Sequence, residues 1–110
     1  MTQPYFEVCE LQDGECVRLR LLGELDVSTA PALKYRLERL HAEKRRVRLD
    51  LSGLDFIDSS GIYLLVRAFN DARADGWQFE VDPWLSPPTR LAFRLAKLER
   101  LIADHGRNGR

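Results

Sequence analysis

Residues 50–61 have the sequence Asp-Leu-Ser-Gly-Leu-Asp-Phe-Ile-Asp-Ser-Ser-Gly, which indicates the fold class most directly. Leading into it, residues 47–51 alternate apolar and polar side chains, which predicts a strand with one buried face. We interpret residues 52–58 as a loop, after which Ser-Ser-Gly opens a helix that ends at Gly76. A strand, a loop and a helix in this order are typical of an α/β fold.

The segment before this stretch predicts a β-hairpin and then a helix. Asp13-Gly14 is a strong signal for a two-residue hairpin turn, and it would set Val8 opposite Leu19. A Ser-Thr pair at 28–29 offers candidate N-caps for the helix. That helix carries an apolar stripe at helical spacing, made of Ala30, Leu33, Leu37 and Leu40.

The segment after Gly76 predicts a last strand and a helical region in two parts. Residues 77–81 alternate as a strand does, and several prolines then interrupt the chain. The final apolar stripe consists of Leu91, Leu95, Leu98 and Ile102. We therefore predict one α/β domain over residues 1–110, ordered over about 5–104, with 105–110 as a flexible tail. Its mixed sheet has four to five strands with an N-terminal hairpin and helices packed on it, in the order β-β-α-β-α-β-α-α.

Composition narrows the classes of function. Lys and Arg together number 17, equal to Asp and Glu together, which argues against a nucleic-acid-binding protein. No apolar run is long enough to span a membrane, and no signal peptide is visible. Cys9 and Cys16 are too few for a disulfide framework and are expected to be reduced thiols. These features predict a cytoplasmic protein without membrane insertion.

Ser59 has a structural and a functional interpretation. Its position at the start of a predicted helix is what a capping residue needs, and spacing alone favours that role. A catalytic serine on a nucleophile elbow would need glycine at the position that Ile57 occupies. The two histidines, His41 and His105, lie on a helix face and near the C-terminus, so neither supplies an evident base.

An enzyme based on carboxylates is the remaining catalytic alternative. Asp26 and Asp58 could form an acid–base pair with Ser59, as in a small hydrolase or nucleotide-binding enzyme. The sequence contains neither a phosphate-binding Gly-Lys-Ser/Thr loop nor a pocket motif around these residues. We predict that the protein is not an enzyme and that it uses no metal and no cofactor.

Three motifs together resemble the STAS domain family. They are Gly-Glu-Leu-Asp at 23–26, Asp-Leu-Ser at 50–52 and Phe-Ile-Asp-Ser-Ser-Gly at 56–61. The resemblance covers about residues 5–104 and is greatest to the stand-alone bacterial anti-sigma factor antagonists. It departs from many members at Tyr63, where a small residue is usual, and in the C-terminal region.

The resemblance implies a partner-switching cycle. An unphosphorylated antagonist binds an anti-sigma factor that is also a serine kinase of the histidine-kinase-like ATPase fold, and this binding releases a sigma factor. The kinase phosphorylates Ser59, with Ser60 as the weaker candidate, and a PP2C-type phosphatase reverses the modification. The implied partner-binding residues are Glu24, Asp26, Ser28, Asp58, Ser59, Ser60, Gly61, Ile62 and Tyr63.

Two other properties follow from the same resemblance and from the hairpin. A STAS domain can also be a regulatory or scaffold subunit of a transporter or sensory complex, which is the alternative function. The exposed edge of the N-terminal hairpin permits a monomer or a weak dimer.

Overall fold

The computed structural model describes residues 5–102, and the predicted tail 105–110 lies outside them. Four strands and three α-helices follow one another as β1 (Phe6–Asp13), β2 (Cys16–Leu25), α1 (Ala30–Ala42), β3 (Arg46–Ile57), α2 (Ser59–Asp75), β4 (Phe79–Val81) and α3 (Pro87–Leu95), and a single 3₁₀ turn follows at Glu99–Leu101. The predicted order of elements is confirmed, with the last helix reduced to that turn. Within residues 5–102, no helix has the length and apolar character needed to cross a bilayer.

The sheet is mixed, as predicted. Its strands lie in the order β1-β2-β3-β4, with β1 antiparallel to β2 and the other neighbours parallel. Helices α1 and α2 connect successive parallel strands, so both begin at the edge where β2 and β3 end. A single apolar core joins the sheet to the helices, and its largest fully buried side chains include Leu19, Leu21, Leu33, Leu49, Leu65 and Phe93.

The hairpin turn is one residue later than predicted. Gly14 and Glu15 form it, and Val8 pairs with Leu21 rather than with Leu19. The predicted turn would need a positive φ at both central residues, but only Gly14, at φ 66°, has one. A glycine at the first central position is typical of a type II′ turn. Because the partner shifts by two residues, each side chain keeps its predicted face.

The predicted loop at 52–58 is wrong, because β3 continues through it to Ile57. The strand pairs with β2 along this stretch, but the register shifts on both sides of Gly53-Leu54. A shifted register breaks the alternation of buried and exposed residues, so the apolar pattern no longer identifies a strand. Gly53 leaves room for the Leu22 side chain, whose Cδ2 would lie 2.4 Å from a Cβ atom at this position and would have to move.

The C-terminal apolar stripe is only partly correct. Helix α3 buries Thr89 and Phe93, while Leu91 and Leu95 are 51% and 74% exposed. The helix stops before Lys97, which has a left-handed φ of 58°, so the predicted stripe cannot continue on one helical face. Leu98 beyond the break is buried, as the stripe predicted.

Candidate functional site

The candidate site lies where β2 and β3 end side by side. Leu25 pairs with Ile57, and the N–H of Asp58 donates to the Leu25 carbonyl at 3.1 Å. Asp26 and Asp58 directly follow these paired residues. Two segments that are distant in sequence, the turn into α1 and the start of α2, therefore meet at one edge of the sheet.

Asp58, and not Ser59, caps helix α2. Its carboxylate accepts a hydrogen bond from the N–H of Gly61 at 3.1 Å, and its extended backbone precedes the first helical residue. Ser59 is therefore the first residue of the helix, with an exposed side chain. Its hydroxyl makes no hydrogen bond to any residue between 5 and 102. Ser59 is thus free of the capping role that spacing alone favoured.

Asp26 organises the turn that leads into α1. Its Oδ1 accepts hydrogen bonds from the backbone N–H groups of Ser28 at 3.0 Å and Thr29 at 3.1 Å, and from the Ser28 hydroxyl at 2.8 Å. Thr29 is the N-cap residue, but its own hydroxyl donates to the Glu24 carbonyl at 2.7 Å. The Ser28 hydroxyl, and then the two N–H groups, lower the pKa of Asp26, against an opposing effect of burial. Asp26 is therefore an anion close to the start of α2.

Gly61 allows the first turn of α2 to approach the strand ends closely. It is buried, and a Cβ atom at this position would lie 2.8 Å from Cγ of Leu25 and 2.9 Å from Cγ1 of Ile57. Real Cβ atoms do not approach other atoms this closely, so the glycine is needed for packing. Because Gly61 lets the first turn of α2 pack closely against Leu25 and Ile57, it determines the position of Ser59 relative to Asp26.

The other predicted partner-binding residues differ in how far their side chains are exposed to solvent. Ser28 and Tyr63 are exposed, while Glu24, Ser60 and Ile62 are half-buried. The Tyr63 hydroxyl accepts a hydrogen bond from Nη1 of Arg67 at 3.1 Å, and the guanidinium lies 5.8 Å from the ring centroid. This hydrogen bond is the main cause of the raised pKa of Arg67. Tyr63 is thus held in place although its side chain is largely in solvent.

Two apolar residues of this surface were missed from the sequence. Val27 is 71% exposed beside Asp26, and Phe56 is 46% exposed two residues before Asp58. The available signal was that each apolar side chain lies within two residues of a site aspartate, in a segment that the apolar periodicity did not require to be buried. Together with Tyr63, these two residues form an apolar border around the charged residues Asp26 and Asp58.

His41 is the histidine within residues 5–102, and it lies away from Ser59. It is at the C-terminal end of α1, where its Nε2 is 2.9 Å from Oδ2 of Asp75 and its ring stacks on Trp77 with centroids 4.3 Å apart. Because α1 and α2 begin at the same edge of the sheet, this cluster is at the opposite end of the helices from Ser59. The structure therefore brings Ser59 together with carboxylates but not with His41.

The lowered pKa of Asp26 predicts a pH-dependent difference between the wild type and Asp26→Asn. The asparagine keeps an oxygen acceptor but lacks the charge. The charge-dependent stabilisation is complete above the ordinary carboxyl pKa of 3.8, and it is lost as the pH falls through the lower folded-state value. Urea unfolding of both proteins between pH 7 and pH 3 measures this difference. A difference that stays constant over this range contradicts the assignment.

Comparison with protein families gives a match over most of the chain. The family model described as "Mlab, STAS domain" matches residues 10–103. The anti-sigma-B factor antagonist of Bacillus subtilis (strain 168) is 25% identical over 71 residues, which cover 64% of this chain. The match spans 65% of that relative, slightly less than two thirds of its length.

Solved structures share the fold. An anti-sigma factor antagonist from Mycobacterium paratuberculosis superposes with a TM-score of 0.79 at 23% identity, covering 90% of this chain and 84% of that one. The Bacillus cell fate determinant SpoIIAA in its phosphorylated form has a TM-score of 0.69 at 22% identity, covering 96% and 95%. At sequence identities of 23% and 22%, these structural similarities show that the fold is shared.

Proposed function

The chain belongs to the STAS domain family, and we propose that it is an anti-sigma factor antagonist controlled by phosphorylation of Ser59. In its unphosphorylated form it binds an anti-sigma factor of the kinase type in the cytoplasm, and this binding releases a sigma factor. The kinase then phosphorylates Ser59, and a PP2C-type phosphatase restores the active form. The domain is a binding module and has no catalytic role of its own.

The observation that carries the proposal is the exposed Ser59 hydroxyl directly after the capping Asp58. A kinase needs a hydroxyl that can enter its active site without unfolding the substrate, and Ser59 meets this condition at the first position of α2. Ser60 is half-buried beside α1, which makes it the less accessible acceptor. Similarity to an antagonist of Bacillus subtilis, and to a SpoIIAA structure in a phosphorylated form, supports the same role.

Charge explains how phosphorylation would turn the antagonist off. A phosphoserine carries a charge of roughly −1.5 to −2 at neutral pH. The N-terminus of α2 offsets this charge by about 0.3–1 kcal/mol. Asp58 is adjacent in sequence, and Asp26 lies on the neighbouring strand end. The added phosphate therefore makes an already acidic surface more repulsive to a partner that accepted the neutral hydroxyl.

The proposal predicts a single phosphorylation site. Incubation with the cognate kinase and Mg-ATP, followed by mass spectrometry of peptides, should give one phosphate on Ser59. Ser59→Ala should take up none, whereas Ser60→Ala should be modified as the wild type is. A phosphate at another position, or no phosphate with a kinase that is active on its own substrate, contradicts the proposal.

A second candidate is a regulatory or scaffold subunit of a transporter or sensory complex. The observation that favours this candidate is that the matching family model is described as "Mlab, STAS domain" and names no antagonist. In that case the same surface would bind a subunit of the assembly without control by a kinase. Absence of phosphate on Ser59, together with co-purification of an assembly subunit, would favour this candidate.

A further inference from the structure

A groove of about 490 Å³ runs between α1 and α2, starting at the candidate site. Ser60 and Tyr63 line its mouth on one side, and Val27 lines it on the other. Its floor is mostly apolar, and its lining includes Ala30, Pro31, Leu37, Leu64 and Ala68. The proposed phosphorylation switch, which consists of Ser59 with Asp26 and Asp58, does not involve the part of the groove beyond this mouth.

The contact between the side chains of His41 and Asp75 defines which residues of the two helices lie at the same level. It joins the far ends of α1 and α2 at 2.9 Å, and both helices run in the same direction. Since each residue advances a helix by about 1.5 Å, residues whose distances from this pair differ by one position lie at nearly the same level on the two helices. On α1, Glu38 and Lys34 lie three and seven residues before His41. On α2, Asp71 and Arg67 lie four and eight residues before Asp75, so Glu38 is level with Asp71 and Lys34 with Arg67.

The charged residues on the rim are therefore ordered along the groove. Two basic residues, Lys34 and Arg67, face each other nearer the switch, and two acidic residues, Glu38 and Asp71, face each other one turn further on. Lys34 and Glu38 also pair along α1 at 3.6 Å. The dipoles of α1 and α2 have the same polarity, since both positive N-terminal ends lie toward the switch. A complementary ligand would carry carboxylates opposite Lys34 and Arg67 and basic groups opposite Glu38 and Asp71.

We propose that this groove receives an amphipathic helix of the protein partner, with its acidic turn at Lys34 and Arg67 and its basic turn at Glu38 and Asp71. The proposal rests on the proposed function, since the partner is the one whose binding Ser59 controls. A helix suits a straight groove with an apolar floor, because its apolar face can lie between two parallel helices. The exposed Val27 and the Tyr63 ring, which Arg67 holds, would border the docked helix at the mouth.

This arrangement connects the groove to the switch. Ser60 lines the mouth of the groove and follows Ser59 directly, so a phosphate on Ser59 would stand at this mouth, about 12 Å along α2 from Arg67. There its charge and bulk would act on the end of the docked helix that lies between Val27 and Tyr63. The groove therefore supplies affinity in the unmodified state and sensitivity to the modification.

Arg67→Glu tests the charge order against a matched control, Arg73→Glu. Both arginines are exposed residues of α2, and both changes alter the net charge equally, but Arg73 does not line the groove. We expect Arg67→Glu to weaken binding of the anti-sigma partner roughly fivefold or more in calorimetric titrations, and Arg73→Glu to change Kd less than about twofold. Equal effects of the two variants overturn the groove proposal.

A synthetic helical peptide separates this proposal from the proposed function. The peptide carries an apolar face with one acidic and one basic turn, and its control has the same apolar face with glutamines at every charged position. Amide chemical-shift changes in the wild type should concentrate at groove residues such as Lys34 and Ala68, with several-fold weaker binding of the control peptide. Equal binding of both peptides, or shifts elsewhere, overturns the proposal even if Ser59 is phosphorylated.

The same variant distinguishes a partner helix from a second copy of this chain. If the groove were an interface between copies, Arg67→Glu would shift a monomer–dimer equilibrium in sedimentation experiments on the isolated protein, and that result overturns the proposal. Conversely, peptide binding at the groove with no phosphate acceptance at Ser59 would leave the groove proposal standing and remove the antagonist function.

Discussion

Replacing Ser59 with aspartate should weaken binding to the anti-sigma partner by about 2–4 kcal/mol, or roughly 30- to 1,000-fold in Kd. The substitution adds one negative charge beside Asp58, on a surface that Asp26 already makes acidic. A partner that closes over the Ser59 hydroxyl would have to desolvate this charge without a compensating cation. Calorimetric titration of the partner with the wild type and the variant measures the difference.

The fold should be unaffected by this change, which isolates the effect of charge. Ser59 is exposed at the first position of α2, and a carboxylate in the first turn of a helix is favourable. We expect the free energy of unfolding to change by less than about 0.5 kcal/mol. Asn70→Asp is a suitable control, because it adds the same charge at an exposed position three turns further along α2.

Ser59→Ala completes the set of variants. It removes the phosphate acceptor but adds no charge, so it should bind the partner with nearly the wild-type affinity. Equal affinity of Ser59→Asp and the wild type would sink the proposed switch, since the charge is then tolerated. Loss of binding in Ser59→Ala would show that the hydroxyl itself is the contact, and the charge argument would have to be abandoned.

The site was largely predictable because its parts are short and local. Asp58 and Ser59 follow an apolar strand and precede a helix, and this order can be read directly from the sequence. Asp26 lies beside them because β2 pairs in parallel with β3. From the sequence, this proximity was expected only because of the family resemblance. Spacing favoured Ser59 rather than Asp58 as the cap of α2, because both are good caps and only the backbone conformation distinguishes them.

The parts that were missed depend on tertiary contacts. Residues 52–57 form a strand because β2 pairs with them through a shifted register, which removes the alternation that identifies strands. Leu91 and Leu95 are exposed because α3 turns Thr89 and Phe93 toward the interior. Neither the register shift nor the choice between two apolar faces of a short helix is determined by local sequence.

The largest stability effect is expected at Gly23, next to the candidate site. Its φ is 96°, a value that side chains other than glycine disfavour, and a Cβ atom would lie 2.0 Å from the Tyr5 carbonyl oxygen. That oxygen also accepts the N–H of Glu24 at 2.8 Å, so the backbone at Tyr5, just before β1, cannot move away without losing this bond. We expect Gly23→Ala to cost about 3 kcal/mol or more in the free energy of unfolding.

Gly14→Ala separates the two causes of this loss. Gly14 also has a positive φ, 66°, but nothing lies within 4 Å of the position of its Cβ atom. This variant should therefore cost only about 1–2 kcal/mol, from the backbone conformation alone. Urea unfolding of both variants measures the difference, which reports the close approach of Tyr5. If the two variants lose the same stability, that approach is not tight, and Gly23 is needed for its φ alone. If Gly23→Ala also weakens partner binding at temperatures where it is fully folded, the approach of Tyr5 additionally positions Glu24 and the Asp26 turn.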